Sequence, residues 1–282
     1  MKSDGCSTVK ETSASFDPSE DNIKDVMQKL ENAKRTSGKP FAIFHDLYDG
    51  RCVKHAPVPF MSIEEARVME YVRLHTNIPV PKVIMAFERD DTVFIVMEYI
   101  KAATLEFARA KLTNEQLRNV ALQLMDFIAQ IRSLTLPPNQ GLGFWKGGAY
   151  RNVFFRPTPW ETADVVPRSA FKSIGDFHAY WVTRSGLDKP LDNPDSYAAI
   201  LSHGDLGCRN ILMEPTGAKI LAVIDWDTFG WYPDFWETMI IHRDALWSQR
   251  WESALSDIIP RRPVDEMYHD ILDAAFQERD EW

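Results

Sequence analysis

The stretch between Leu201 and Trp226 constrains this chain most, because two short apolar runs in it flank a Pro-Thr-Gly sequence. Such a pattern is typical of two paired strands joined by a turn. Three oxygen-bearing side chains lie at or beyond the outer ends of these runs, namely Asp205, Asn210 and Asp225. Because the outer ends of a hairpin meet, we expect the three side chains to converge. Two carboxylates and a carboxamide at this spacing suit Mg²⁺, which binds one or two carboxylates together with substrate phosphates.

Length and charge narrow the classes of partner. The 282 residues are enough for one large or two ordinary domains with a buried core. The formal net charge of −9 argues against duplex nucleic acid or an anionic membrane as the main partner, since either would require a basic face. An acidic pocket for a cationic small molecule stays open, and the oligomeric state does not follow from the sequence.

The compartment is inferred from apolar runs and cysteines. No apolar run approaches the roughly 20 residues of a membrane span, and the first residues lack the apolar stretch of a signal peptide. The three cysteines, Cys6, Cys52 and Cys208, are far apart and lack metal-ligand spacing. We therefore expect a soluble, cytoplasmic protein with reduced thiols. Cys208 lies inside the constraining stretch, as either a bystander or a residue that shapes the loop.

The first third of the chain predicts a polar tail and a small sheet domain. Residues 1–18 carry too little apolar surface to offset the entropy of ordering, which predicts a disordered tail. Residues 19–98 form the predicted N-terminal domain. Its helices are expected at 21–35 and 62–75, and its strands at 41–45, 51–54, 82–87 and 92–98. Lys54 falls at the end of a predicted strand, and Glu65 borders the buried face of a predicted helix.

After residue 98 the pattern changes from strands to helices, which predicts a second domain at 99–282. Thr113-Asn-Glu-Gln116 has the form of a capping box, and apolar residues at helical spacing follow it to about Leu134. Further helices are expected near 171–181, 237–250 and 265–279. The segment 138–167 has no steady periodicity and is long for a connection, which favours a functional or variable role.

The motifs of the chain, in the order in which they occur, resemble those of the aminoglycoside phosphotransferase and choline kinase family. Members of that family are small-molecule kinases with the bilobal protein-kinase fold. His203-Gly-Asp-Leu-Gly-Cys-Arg-Asn-Ile-Leu212 is similar to the family's His-Gly-Asp-x-x-x-x-Asn signature, and Ala222-Val-Ile-Asp-Trp226 is similar to its Ile-Asp-Trp signature. Gly230-Trp-Tyr-Pro-Asp-Phe-Trp-Glu237 looks like a segment of fungal-type members. Pieces that resemble the N-lobe lysine strand, αC-type helix, inter-strand loop and hinge strand are Val53-Lys54, Glu65-Ala66, 76–83 and 95–100.

The resemblance implies an α+β protein with a protein-kinase-like fold. Its small N-lobe would combine an antiparallel sheet with a helix, and its larger C-lobe would be mainly helical. The implied reaction transfers a phosphoryl group from ATP to a hydroxyl group of a small-molecule metabolite, with Mg²⁺. The implied residues are Asp205 as the base, Asn210 and Asp225 as metal ligands, Lys54 paired with Glu65 at the nucleotide phosphates, and the backbone of Glu98, Tyr99 and Ile100 at the adenine.

The chain departs from the family pattern before Lys54. Gly50 is the only glycine between Gly38 and Gly141, so no Gly-x-Gly-x-x-Gly sequence is present. One predicted strand and a turn precede Lys54, and the phosphate-covering element is expected to be short, supplied by region 21–35, or missing. Two other functions therefore stay open. One is a pseudokinase that binds nucleotide or a partner without turnover, and the other is a repurposed enzyme of secondary metabolism that catalyses another transfer or condensation.

Some motif residues have structural alternatives. Glu65 is the last residue of Ser62-Ile-Glu-Glu65, so its carboxylate could cap its own helix instead of reaching Lys54. His203 is expected to support the loop through hydrogen bonds. His242-Arg-Asp244 copies a protein-kinase tripeptide, but Gln249 occupies the asparagine position, which indicates a helix surface. The aromatic side chains expected to pack rather than bind substrate are Trp231, Tyr232, Phe235 and Trp236.

Overall fold

The computed structural model describes residues 14–33, 35–39, 42–58, 60–135, 141–150, 152–159, 161–215, 217–246 and 248–277. These residues form two compact units. The first lies within Met1–Glu70 and Lys82–Tyr99, and the second within Tyr71–Pro81 and Ile100–Trp282. Residues 71–81, which we had placed in the N-terminal domain, thus group with the second unit. No helix among the described residues is long and apolar enough to cross a membrane.

The first unit contains an antiparallel sheet of five strands in the order β1-β2-β3-β5-β4. The strands are β1 (Arg35–Lys39), β2 (Ala42–Asp46), β3 (Arg51–Pro57), β4 (Val83–Arg89) and β5 (Thr92–Glu98). Helix α1 (Glu20–Asn32) and the residues of α2 (Glu64–His75) up to Glu70 accompany them. The strand pairs 41–45 with 51–54 and 82–87 with 92–98, predicted from the sequence, are confirmed as β2–β3 and β4–β5.

Helix α1 covers one face of this sheet. The helix follows Ser19, whose side chain accepts a hydrogen bond from the Asn22 amide at 3.4 Å. The buried cluster between the helix and the sheet consists of Val26, Leu47, Val53, Met85, Phe87, Phe94 and Val96. Full burial of such side chains stabilises the fold by about 1.5–3 kcal/mol each. Because side chains alternate along a strand, Lys54 follows Val53 onto the opposite face from α1.

The beginning of the sheet differs from the sequence prediction. Helix α1 ends at Asn32 rather than Arg35, and strand β1 pairs antiparallel with β2 before the Lys54 strand begins. Two strands therefore precede β3, and the prediction of a single one was wrong. Lys54 lies in the middle of β3 rather than at its end. The polar sequence of β1 carries no alternating pattern, so its pairing with β2 decides its conformation.

The predicted tail is ordered at its C-terminal end. The Ser15 amide donates to the Ile84 carbonyl at 3.0 Å, and the Ser15 carbonyl accepts from the Ala86 amide at 2.9 Å. Strand β4 lies at the edge of the sheet, where its backbone groups are available for this pairing. The composition of residues 1–18 does not reveal such a pairing. Ordered structure therefore begins before the predicted boundary at residue 18. Residues 1–13, the rest of the predicted tail, lie outside the described residues.

The second unit is mainly helical and contains two small antiparallel sheets, with the orders β10-β9-β6 and β7-β11-β8. Its strands are β6 (Ala103–Thr104), β7 (Gly143–Phe144), β8 (Ala199–Ser202), β9 (Ile211–Met213), β10 (Ile220–Val223) and β11 (Gly230–Pro233). Its helices are α3 (Leu105–Ala108), α4 (Asn114–Ser133), α5 (Ile174–Ser185), α6 (Trp236–Ala245), α7 (Gln249–Ser256) and α8 (Pro263–Phe276).

Helix α4 forms where the capping box predicted it. The Thr113 side chain accepts from the Gln116 amide at 3.2 Å, and the Gln116 side chain accepts from the Thr113 amide at 2.8 Å. Both contacts satisfy donors that a helix N-terminus leaves unpaired. The apolar stripe is buried as predicted, and its members are Leu117, Val120, Ala121, Leu124, Phe127, Ile128 and Ile131.

An aromatic core supports the C-terminal half of the second unit. Its fully buried rings are Phe177, Trp181, Tyr232, Phe235, Trp236 and Tyr268. The packing role expected of Tyr232, Phe235 and Trp236 is thereby confirmed. The single helix predicted at 237–250 is wrong, because α6 ends at Ala245 and α7 begins at Gln249. Ser248 has extended backbone before α7, the conformation of an N-cap residue, and it separates the two helices.

Candidate active site

Asp205 lies in the loop between β8 and β9, which ends in one 3₁₀ turn at Cys208–Asn210. Its carboxylate is buried and is held from two sides. Arg209 Nη2 donates to Oδ1 at 2.5 Å, and Asn210 Nδ2 donates to Oδ2 at 2.9 Å. Asn210 Nδ2 also donates to the backbone carbonyl of Asp205 at 2.7 Å. The orientation of the carboxylate is therefore fixed by its own loop.

Asn210 presents a buried oxygen beside this carboxylate. Its Oδ1 atom has no hydrogen-bond partner among the described residues. A buried acceptor without a donor costs about 1–3 kcal/mol, so a bound cation would remove an unfavourable contribution. The backbone carbonyl of Asn210 accepts from the Ile224 amide at 2.9 Å, which extends the pairing of β9 with β10.

Asp225 follows immediately after that paired residue. It is half-buried, and its φ of 70° places it in the left-handed region, which is uncommon for a residue other than glycine. Such a conformation persists only where the surrounding structure holds it, and it occurs often at functional sites. The β9–β10 hairpin thus brings the segments that carry Asn210 and Asp225 together at one end, as the sequence predicted.

The donor set fits a magnesium ion. Asn210 and Asp225 supply one carboxamide and one carboxylate, and Mg²⁺ completes such a set with water and substrate phosphates. Within the described ranges, no group of three or more histidine, cysteine, aspartate or glutamate side chains could hold a metal. The orphaned Oδ1 of Asn210 is the structural observation that favours a cation at this end of the hairpin.

Glu237 anchors the Asp205 loop from helix α6. Its buried carboxylate accepts the Gly204 amide at 3.0 Å and the Leu206 amide at 3.2 Å. These are the residues on either side of Asp205. Burial raises the pKa of Glu237 from its ordinary value of 4.5 to about 7, although the backbone amides oppose that rise. The neighbouring Trp236 Nε1 donates to the Gly204 carbonyl at 3.0 Å and ties the same turn to the helix.

His203 supports the loop, as predicted. Its Nδ1 accepts the Asp205 amide at 3.2 Å, and its Nε2 lies 3.2 Å from the Ile224 carbonyl. The two contacts match a neutral imidazole with its proton on Nε2. The Thr228 hydroxyl donates to the His203 carbonyl at 2.6 Å. The histidine is fully buried, and its two ring contacts link the Asp205 loop to the segment around Asp225.

The His242-Arg-Asp244 tripeptide is not a helix surface, and that interpretation was wrong. His242 is buried with Nε2 at 2.7 Å from the Ile259 carbonyl. Asp244 Oδ2 accepts the Cys208 amide at 2.5 Å, and its Oδ1 lies 3.9 Å from Arg209 Nη1. Helix α6 therefore contacts the Asp205 loop with its last turn. Cys208 is buried, and burial raises the pKa of its thiol well above the usual range.

Lys54 and Glu65 form a buried ion pair in the first unit. Lys54 Nζ lies 2.7 Å from both carboxylate oxygens of Glu65. Each residue is less than 5% exposed. The carboxylate thus reaches Lys54, while the Ser62 hydroxyl accepts the Glu64 amide at 3.3 Å. Strand β3 and the first turn of α2 position this pair.

The backbone at the predicted adenine contact is partly engaged. The Glu98 amide donates to the Lys82 carbonyl and the Tyr99 amide to the Gly50 carbonyl, each at 2.9 Å. The Glu98 carbonyl accepts only a weak hydrogen bond from the Cys52 thiol, at 3.7 Å. Glu98 thus retains acceptor capacity at its carbonyl. The amides of Glu98 and Tyr99 are already used in hydrogen bonds inside the first unit. Ile100 belongs to the second unit.

The sequence matches a family model over residues 59–277, which is described as the phosphotransferase enzyme family. The chain belongs to this phosphotransferase family. The matched region contains Asp205, Asn210 and Asp225 and begins after Lys54. A kinase-type enzyme of small molecules, predicted from the sequence, is thereby confirmed. Comparison with curated proteins gives no match.

Solved structures show the fold of this phosphotransferase. A thermostable mutant of aminoglycoside phosphotransferase APH(4)-Ia, in complex with AMP-PNP and hygromycin B, is similar with a TM-score of 0.57 and 16% identity over 91% of this chain and 89% of that one. Aminoglycoside phosphotransferase APH(3'')-Id from Streptomyces rimosus is similar with a TM-score of 0.56 and 14% identity over 91% of this chain and 99% of that one. The complex of APH(2")-IIa with streptomycin and ATP is similar with a TM-score of 0.52 and 13% identity over 90% of this chain and 87% of that one. The predicted α+β, protein-kinase-like fold is confirmed.

The sequence signature of the phosphotransferase did not indicate three residues that hold Asp205 or its loop. In the sequence Glu237 is the last residue of an aromatic segment, Asp244 belongs to the His-Arg-Asp tripeptide, and Arg209 occupies a variable position of the motif. A signal for Glu237 does exist, because it is a lone carboxylate before the apolar run Met239-Ile-Ile241 in a core helix. Arg209 and Asp244 carry no such signal, since only the packing of α6 against the loop brings them together.

Proposed function

We propose that this phosphotransferase transfers the γ-phosphoryl group of ATP to a hydroxyl group of a small-molecule metabolite in the presence of Mg²⁺. The contact between Asp205 and Asn210 supports the proposal most. Asn210 Nδ2 donates to the oriented Asp205 carboxylate, while the buried Oδ1 atom of the same carboxamide lacks a donor among the described residues. A proton acceptor beside a metal ligand is what phosphoryl transfer to a hydroxyl requires.

In this scheme each residue of the second unit has one role. Asp205 accepts the proton of the acceptor hydroxyl, and its contacts with Arg209 and Asn210 hold the carboxylate in one orientation. Asn210 and Asp225 hold Mg²⁺, which neutralises charge on the phosphate oxygens when it is bound. Glu237 keeps the loop in place through the amides on both sides of Asp205.

The nucleotide roles concern residues around strands β3 and β5. Lys54 contacts the α- and β-phosphates, and Glu65 orients it through the buried ion pair. The carbonyl of Glu98 accepts from the adenine amino group. The backbone of Tyr99 and Ile100 completes this edge, with the Ile100 amide as the donor, since the Tyr99 amide is engaged with Gly50.

The alternative of a pseudokinase loses part of its motivation. It rests on the missing glycine-rich loop, but two paired strands, β1 and β2, do precede the Lys54 strand. The retained set of Lys54, Asp205, Asn210 and Asp225 also favours turnover. The acceptor that we favour carries an amine, because the chain has a net charge of −9 and similar solved structures contain hygromycin B or streptomycin.

The test combines nucleotide binding with an acceptor screen. We expect calorimetry to detect ATP binding that requires Mg²⁺, and a library of hydroxyl-bearing amines to contain compounds that stimulate ATP consumption. Asp205→Asn should lower turnover by about 10²–10⁴-fold with little change in ATP affinity, since a proton acceptor acts in the transition state. Asp176→Asn, an exposed carboxylate in helix α5, is the matched control. Turnover of Asp205→Asn close to wild type would contradict the assignment.

A further inference from the structure

Arg209 is a cation in hydrogen-bond contact with the carboxylate of Asp205. Its side chain lies between two carboxylates, with Nη2 at 2.5 Å from Asp205 and Nη1 at 3.9 Å from Asp244. Burial lowers the pKa of the guanidinium, but the carboxylates of Asp205, Asp244 and Asp225 outweigh burial and raise it.

The Arg209 guanidinium has N–H groups that donate to no acceptor among the described residues. A guanidinium carries five N–H groups in a planar fork that matches carboxylate and phosphate oxygens. Within the described residues, Arg209 donates one hydrogen bond, to Asp205, and its contact with Asp244 is too long for another. Its side chain is 41% exposed although Asp205 is buried. The free edge of the fork therefore borders open space next to the base.

The charge on Asp205 changes during the proposed transfer. The acceptor oxygen forms a bond with the γ-phosphorus, the bond from that phosphorus to the ADP oxygen breaks, and ADP leaves with the electron pair. The hydroxyl proton moves to Asp205, which becomes a neutral acid. Arg209 then loses its anionic partner at the moment when a phosphate monoester appears on the oxygen that Asp205 had contacted, within about 3 Å of the carboxylate.

We propose that Arg209 pairs with Asp205 before transfer and with the transferred phosphoryl group during and after it. This inference rests on the proposed function and adds a second cationic group to it, supplied by the loop of the base itself. In the ligand-free protein the same contact keeps the Asp205 carboxylate oriented. Arginine is suited to the exchange because its fork holds two oxygens at once, whereas the compact ammonium of lysine does not.

The chain offers a matched control for Arg209. Arg109 Nη1 contacts the same loop, at 3.5 Å from the Cys208 sulfur and 3.3 Å from the Asp244 carbonyl. Within the part of the chain that the structure describes, the hydrogen bonds of Arg109 do not reach Asp205. Arg109→Met therefore removes a cation from the loop without removing one from the base, and Arg209→Lys keeps the charge while removing the fork.

The test measures binding of MgADP to the full chain, alone and with aluminium fluoride, a mimic of the phosphoryl group in transit. We expect aluminium fluoride to tighten MgADP binding to the wild type. Arg209→Met should lose about 10²-fold of this gain, the usual effect of removing one donor to transition-state charge, and should leave binding of MgADP alone nearly unchanged. Arg209→Lys should retain part of the gain, and Arg109→Met all of it.

A double variant separates direct contact from action through the base. In an Asp205→Asn background, Arg209→Met should still lose the fluoride gain if the guanidinium contacts the phosphoryl group itself. Retention of the gain in folded Arg209→Met, or equal losses with and without fluoride, would overturn the inference and leave the proposed function standing. A wild type that binds neither MgADP nor its fluoride complex would overturn both.

Discussion

Lys54 Nζ lies 2.7 Å from both carboxylate oxygens of Glu65, and both side chains are buried. Removing one partner of a buried pair leaves the other charge without its main compensation, which typically costs about 3–5 kcal/mol. We therefore expect Glu65→Gln to lower the free energy of unfolding by about that amount and to weaken ATP binding. Urea denaturation and calorimetry measure the two effects.

The neighbouring residue supplies the control for that prediction. Glu64 pairs with Arg67, whose side chain is 43% exposed, and an ion pair that solvent screens on one side contributes about 0.2–1 kcal/mol. Glu64→Gln should therefore leave stability and ATP affinity almost unchanged. If both variants behave alike, the Lys54–Glu65 pair has no special role in binding nucleotide.

Asn210 and Asp205 are in contact but have different proposed roles, which predicts different responses to magnesium. Asn210→Ala removes a metal ligand, so the Mg²⁺ concentration for half-maximal turnover should rise at least about tenfold, the loss caused by even an outer-shell substitution. Asp205→Asn should lower turnover without that rise. Magnesium titrations of the two variants and the wild type decide the matter, and parallel shifts in both would argue against metal binding by Asn210.

Glu237 predicts a pH dependence of stability. Its pKa is about 7 in the folded protein and near 4.5 in the unfolded chain. Between these values the folded state binds the extra proton, so the contribution of this group is fully present below about pH 4.5 and is lost as the pH rises through 7. The difference corresponds to on the order of 3 kcal/mol.

Glu237→Gln isolates this effect, because the variant lacks the titrating group while every other group still titrates. We expect the stability of the wild type relative to Glu237→Gln to decline between about pH 4.5 and 7, as measured by urea unfolding at a series of pH values. Parallel curves for the two proteins would show that Glu237 stays charged at its contacts with Gly204 and Leu206.

Gly204 has no room for a side chain. Its φ is 86°, and a Cβ atom would lie 2.7 Å from the Thr228 carbonyl oxygen and 2.9 Å from the Tyr232 hydroxyl oxygen. Gly50 has a similar φ of 84° but nothing within 4 Å of such an atom. Gly50→Ala should therefore cost only the roughly 1–2 kcal/mol of a left-handed alanine.

Gly204→Ala adds the steric conflict to that conformational cost. We expect it to destabilise the protein more than Gly50→Ala and to lower turnover, because Asp205 is the next residue and must shift with the loop. Thermal unfolding and the acceptor assay measure the two effects. Equal destabilisation by the two substitutions would mean that the loop yields without strain.

The residues of the candidate site were predictable to the extent that their signals are local. The β9–β10 hairpin, its turn and the positions of Asp205, Asn210 and Asp225 follow from strand patterning and from motif spacing within about 20 residues. The α4 capping box is equally local. Strand β1 was missed because its five polar residues become a strand only through pairing with β2.

By itself the sequence determined the fold family, the two-part organisation and the order of base and metal-ligand candidates, since these depend on periodicity and spacing along the chain. Only the tertiary structure decided how Asp205 is held. Glu237 and Asp244 reach its loop because helix α6 packs against residues some 30 positions earlier in the chain. Hydrogen bonds across such separations leave no periodic pattern in the sequence, because their geometry arises from the packing of whole elements.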